Sequence, residues 1–516
     1  MDYLAHRPQS YEGQGDSHLP RIVKNLRRKL SETQGDFAHD TLRLPSRALG
    51  DLAGILVDFA EDLHNGTGIW AAYERYNTEF FGAALPLTPA ENGGGTGLRP
   101  DRFRHFLRIL YPVLIDGLVI SPTHQDLHRI ADAACALLSD AFAEVSKDSG
   151  VKAFLQSPNT HGWDVKRKLV WLGTHSFMFR TMFARYMEEQ SPGGSDIPHT
   201  DDFVCQECTR WSGLGAIDIL AGALDIPDDD RRDLRNWYER HASFYRLVSV
   251  SSEALQAVNL VNDQPYRIRI DMRRHPFRRG QVVFGSLVPW RGEWYWSGAQ
   301  RLVGDASKVD ADDLKKKMKR QSSAIVCRYS KDYEAMVRER MSALHEQMLA
   351  FHGGKDLVVY PDGLSMAADW QREIRWQWEQ RPQQEVDEVV RKHGLKEGRP
   401  EIKLPQDLLE EKDGLGVFLN PDEGKEIMSH FTTLVAGLRK KGEGLTGDEA
   451  DSIRGLVESP SISPRFVRRV LEEHGDESVK EAFVLRGDLP GYWLDCLLRS
   501  CKGQYYRKCY PSLSVV

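Results

Sequence analysis

A chain of 516 residues carrying 69 Lys and Arg against 75 Asp and Glu, net charge −6, is too long for one hydrophobic core and implies about three domains. The acidic balance excludes the basic excess that marks most polyanion-binding domains. A hydrophobic fraction of 41% is that of an ordinary globular protein, and no run of about 18 apolar residues exists to span a bilayer.

The opening residues, MDYLAHRPQSYEGQGDSHLP, lack the apolar stretch of a secretion signal. Seven Cys at 135, 205, 208, 327, 496, 501 and 509 are too few and too unevenly spaced for a disulfide scaffold. The expectation is a cytoplasmic protein with reduced thiols and no membrane association.

In chain order, residues 1–44 read as a loosely held polar arm. Residues 45–240 repeat apolar positions at spacings of three and four, as at Leu49, Leu52, Ala53 and Leu56, and predict a domain of about seven helices. The period switches at residue 241. Phe244–Val250, Ala254–Val261, Tyr266–Ile270, Gln281–Phe284 and Glu293–Trp296 alternate β-branched and aromatic residues between turn signals, which predicts a small SH3-like or OB-like β-barrel over 241–305. Residues 306–380 read as a long helix followed by a strand, a turn and a helix. Residues 381–415, charged and proline-punctuated, read as a linker. Residues 416–516 read as a C-terminal helical domain, in which Thr446 stands as a helix cap before an acidic first turn. The fold class is α+β, mostly helical.

Three groups of residues invite a chemical reading. His199 with Cys205-Gln-Glu-Cys208 supplies three ligands of the tetrahedral set that a structural zinc requires, the alternative being two free thiols leading into a helix. Glu61-Asp-Leu-His64 puts a carboxylate and an imidazole on one helix face, and His124 and His128 are its nearest companions; a di-iron bundle needs two Glu-x-x-His motifs and two further Glu. No Gly-x-Ser-x-Gly elbow, Walker loop or strand-linked Gly-x-Gly-x-x-Gly is present, so no complete catalytic constellation exists. The third group is the barrel itself. Residues 241–305 hold nine Arg against five acids, including Arg273, Arg274, Arg278 and Arg279, and its hairpin WRGEWYW contains Trp290, Arg291, Trp294 and Trp296. Trp and Arg on a small barrel suit a protein interface or single-strand binding by stacking. Alternation sends Trp294 and Trp296 to one face and Tyr295 to the other, so part of the cluster must be core.

The segments SGLGAIDILAGAL, VFGSLVPWRGEWYWSG, DLVVYPDGLSMAADW, NPDEGKEIMSHF and SPSISPRFVRRVLEEHGDESVKEAF resemble those of uncharacterised bacterial multi-domain proteins. A second resemblance is to the accessory proteins encoded beside type III-E CRISPR effectors, which work with a caspase-like protease. It implies a defence or signalling component acting by contact, and no catalytic residue. The sequence therefore points to a non-enzymatic, protein-binding regulatory protein without a cofactor. The alternatives are a nucleic-acid-binding module using the Arg- and Trp-rich barrel, and a metal-dependent enzyme using His199, Cys205 and Cys208.

Overall fold

The computed structural model describes residues 3–89, 97–190, 196–261, 263–270, 276–314, 316, 331–393 and 403–507. The chain divides into two compact units. The first comprises residues 1–326 together with 486–504, and the second is built on residues 327–485.

In the first unit eleven α-helices precede the sheet among the described residues. They are α1 (Leu19–Gly35), α2 (Ser46–Asn65), α3 (Ile69–Phe81), α4 (Pro100–Leu114), α5 (Gln125–Ala143), α6 (Gly150–Gln156), α7 (Gly162–His175), α8 (Arg180–Gln190), α9 (Ile197–Gln206), α10 (Ala216–Ala223) and α11 (Asp228–Arg235). The excess over seven comes largely from α6, α10 and α11, each of two turns and too short to display a helical period. Phe59, Trp70, Phe106 and Trp211 interlock at the centre, with ring centroids 4.5–6.0 Å apart in mixed stacked and edge-on geometries. His124 caps α5, accepting from the backbone N–H of Asp126.

The N-terminal arm is not loose. Leu19, Ile22, Leu26 and Leu30 of α1 are buried against the bundle. Ahead of them Arg7 ion-pairs with Asp16 and Glu61, and the Trp171 indole donates to the His6 carbonyl at 3.0 Å. The polar composition that suggested an unbound segment describes only the outward face of an amphipathic helix.

Strands β1 (His241–Val250), β2 (Ala254–Asn259), β3 (Pro265–Arg269), β4 (Gln281–Trp290) and β5 (Glu293–Asp305) form a five-stranded mixed sheet. Every ladder is antiparallel except one parallel pair, Ile268 with Trp294. Tyr245, Leu247, Leu255, Ile268, Val283 and Leu287 fill its inner face.

The second unit carries a three-stranded antiparallel sheet in the order β6 (Leu357–Tyr360), β7 (Leu415–Asn420), β8 (Gly424–Ser429). Strand β7 is buried at all six positions, so it presents a continuous apolar run without alternation and falls inside what reads as helical sequence. Residues Gln383–His393 and Gln406–Glu410, within the expected linker, are helical. Asp362 caps the helix Gly363–Glu379, whose Trp370 packs with Met366, Tyr360 and Leu415. Thr446 caps Gly447–Glu458 with the reciprocal Glu449 bond of a capping box. No helix among the described residues is long and apolar enough to cross a membrane.

His105 of α4 is fully buried between the Tyr73 hydroxyl at 2.9 Å and the Thr88 hydroxyl at 2.7 Å. Burial, with the nearby Arg108 charge, holds its imidazole well below the usual value. The unfolded chain protonates this residue near pH 6.5 and the folded one does not, so the unfolded state binds more protons on acidification. Stability should therefore fall as pH drops below about 6.5, by up to about 1.4 kcal/mol per pH unit from this group. Urea midpoints of wild type and His105→Gln between pH 7.5 and 5.5 test this: the variant should show the shallower loss.

Candidate functional site

The Trp-rich hairpin organises the region that the sequence marks. Trp290 pairs with Glu293, and Arg291 and Gly292 between them take φ of 51° and 77°. Two successive left-handed residues make a type I′ turn, whose twist matches that of the flanking strands. The turn is therefore two residues long, and β4 runs on through Trp290.

The two faces of this hairpin serve two different cores. Trp294 and Trp296 point into the sheet, edge-on to Tyr266 at 4.9 Å and Tyr245 at 5.7 Å. Val288, Trp290 and Tyr295 belong instead to the core of the helical bundle. Trp290 is 0% exposed; its indole donates to the Asn159 carbonyl at 3.2 Å, while Trp237 lies edge-on to it and donates to the Pro289 carbonyl at 2.6 Å. Tyr295 packs edge-on against Trp163 and lies against Gly162, where any Cβ would enter its ring. Arg291 clamps Asp230 of α11 with two hydrogen bonds at 3.0 and 2.5 Å, and its backbone N–H donates to Asp233. Trp290 therefore offers no surface to a partner. It is a joint between sheet and helices.

A second joint lies beside the first. Asp201 of α9 is 4% exposed and binds Lys166 of α7, Arg240 just before β1 (2.5 Å) and the Ser297 hydroxyl of β5 (2.8 Å). Arg240 also pairs with Asp202. Burial alone would raise the Asp201 carboxyl, but Lys166 and Arg240 outweigh it and hold it below its usual range. Lys166 donates to Ser297 at 2.9 Å as well. A Lys beside a Ser has the look of a nucleophile and its base, yet Ser297 is 1% exposed and its proton is given to Asp201.

The expected metal ligands are used separately. Cys205 is buried, accepts from Lys166 at 3.4 Å, and its thiol is pushed up by burial more than Lys166 lowers it. His199 lies 3.3 Å from Asp196, and Cys208 packs on Gly503. Glu61 is enclosed by Arg7 and the Ser149 hydroxyl, whereas His64 bonds the Val145 carbonyl and His128 the Pro122 carbonyl. Among the described residues no group of three or more His, Cys, Asp or Glu could hold a metal ion. Arg273, Arg274, Cys327 and Cys509 lie outside the described residues.

What remains open to contact is the other end of the sheet. Phe244 of β1 stands in register with Phe284 of β4, and Phe284 with Arg301 of β5. The two rings are 5.0 Å apart and belong to neither core. Val248, Leu302 and Val303 are 44%, 46% and 40% exposed, and Arg246, Arg278, Arg279 and Arg301 are exposed beside them. The signal for this row was present in the alternation, since Phe244 and Phe284 flank the inward Tyr245 and Val283. No protein-family model, characterised protein or solved structure matches the chain.

Two substitutions test the joints. Asp201→Asn leaves Lys166 without a carboxylate and Arg240 with Asp202 alone, and should cost about 3–5 kcal/mol in urea unfolding. Trp290→Ala should cost about 3–5 kcal/mol through the cavity it leaves. A loss below about 1 kcal/mol in either would show that the joint carries no weight.

Proposed function

We propose that the protein works by contact, as a protein-binding regulatory component, and that its five-stranded sheet is a small SH3-like or OB-like barrel presenting the contact surface. Closure of the strand order supports the barrel: the ladders run β3, β2, β1, β4, β5, and the Ile268–Trp294 pair joins the two ends. The observation that carries the function is the outward row Phe244, Phe284, Arg301 with its exposed neighbours Val248, Leu302 and Val303. Each exposed aliphatic forgoes roughly 25 cal/mol per Å² that burial against a partner recovers. Aromatic and Arg side chains together are the composition of interface hot spots. The bacterial defence or signalling setting, including a role beside a type III-E CRISPR effector, is part of this proposal and rests on the sequence resemblance alone.

Single-strand nucleic-acid binding is the second reading, favoured by the Phe244–Phe284 pair flanked by Arg246 and Arg301, which has the make-up of a stacking platform. The aliphatic neighbours favour protein, because Val248, Leu302 and Val303 have no π-face on which a base stacks.

Affinity purification from the native cell separates the two. The wild type should retain a stoichiometric protein partner after nuclease treatment. The variant Arg301→Glu/Leu302→Ser, altered only at exposed positions, should lose it at least tenfold with an unchanged urea midpoint, about 1.4 kcal/mol of binding. A clean monomer, or a partner held equally by the variant, would overturn the proposal. Binding to single strands that weakens linearly in log–log salt plots would transfer the surface to nucleic acid.

A further inference from the structure

The helical bundle carries an open groove of about 1370 Å³, walled by α1, the first half of α2 and the start of α8. Its floor is apolar: Val23, Ile55, Leu114, Phe183 and Met187 line it. Helix α8 contributes two of these and has no fully buried residue of its own, so its Phe and Met are held half open. Met is the side chain that re-packs most readily against different partners.

The rim has the opposite character. Lys24, Arg27 and Arg47 line the groove, all three exposed. Among the described residues none of them is ion-paired; Arg27 donates to the neutral Ser46 hydroxyl at 2.7 Å. Arg180, also in the lining, is matched by Asp58, and Asp51 is the single carboxylate there. Three uncompensated cations thus face one carboxylate in a chain whose net charge is −6. Charge of one sign gathered around a concave surface attracts the other.

Size and shape narrow the occupant. The groove exceeds the roughly 300–1,000 Å³ of a site for a drug-sized molecule. An α-helix about 10 Å across, rising 1.5 Å per residue, fills roughly 120 Å³ per residue, so the volume corresponds to about eleven residues. The walls agree: Pro20 to Arg27 and Ser46 to Ile55 span two to three helical turns. We infer that this groove docks an acidic amphipathic helix of a partner protein. Apolar side chains at i, i+3 or i+4, and i+7 lie on the Val23, Ile55 and Phe183 floor, and flanking Asp and Glu face Lys24, Arg27 and Arg47.

Two variants make this testable. Ala184 lines the groove and is exposed, so Ala184→Trp fills the site without touching the core. Arg27→Glu/Arg47→Glu reverses the rim. Random 16-residue peptides are selected on the full chain, with counter-selection on the Ala184→Trp protein. The expected consensus has Leu, Phe or Met at helical spacing and an excess of at least three acidic residues. A labelled consensus peptide should bind the wild type saturably and each variant at least tenfold more weakly, with unchanged urea midpoints. A neutral or basic consensus, binding equal on the Ala184→Trp protein, or full affinity for the charge-reversed rim would each overturn the assignment. A peptide displaced by altering Arg301 and Leu302 rather than the groove would overturn it too, by placing its binding on the sheet.

Discussion

One buried carboxylate ties the sheet of the first unit to its helices. Asp201 sits where α7, α9, the lead into β1 and the middle of β5 converge, and it joins all four through Lys166, its own helix, Arg240 and Ser297. Two cations, a carboxylate and a hydroxyl out of water are tolerable only when each satisfies the others. That condition fixes geometry more than it adds stability. Helices packed by apolar contacts alone can slide by a fraction of a turn at little cost, whereas a bifurcated ionic contact has one good arrangement. With it made, the hairpin can seat Trp290, Val288 and Tyr295 in the bundle and Trp294 and Trp296 in the sheet.

This double seating determines where contact with other molecules can occur. The densest aromatic cluster is consumed internally, and Arg291 beside it is committed to Asp230. Two surfaces stay accessible: the Phe244–Phe284–Arg301 row, which belongs to neither core, and the groove lined by α1, α2 and α8, whose floor is the partly open edge of the bundle core. Both combine apolar area with unpaired positive charge, and they are built from different secondary structure. One offers a twisted strand face and the other a trough between helices. They suit partners of different shape.

Much of the sheet was legible in the sequence because its signal is local. Alternation at Phe244–Val250 and Tyr266–Ile270 marks strands without knowledge of their neighbours, and the split of Trp294 and Trp296 from Tyr295 follows from the same period. What could not be read is long-range. Asp201 lies 35 residues from Lys166 and 96 from Ser297, and no spacing rule connects them. Burial of Trp290 follows from Asn159 and Trp237, which are equally remote. The metal reading of His199, Cys205 and Cys208 rested on proximity in sequence. The helix directs Cys205 inward to Lys166, so the three side chains find different neighbours. Strand β7 has the reverse character: buried at every position, it carries no alternation to mark it as a strand.

The first unit is made of two stretches of chain, and the helix Trp493–Cys501 belongs to the later one. The Tyr492 ring lies tilted against Phe81 at 5.6 Å, the Arg499 guanidinium lies 3.9 Å over the Phe80 ring, and Gly213 and Gly503 meet backbone to backbone. During synthesis the bundle emerges with this patch bare, and residues 327–485 must be made before its cover exists. At 5–20 residues per second that interval is about 8–30 s. For this time Phe80, Phe81 and the turn at Gly213 face solvent as sticky surface. The nascent chain is then most exposed to aggregation or chaperone capture, and the arrival of Trp493–Cys501 ends that interval.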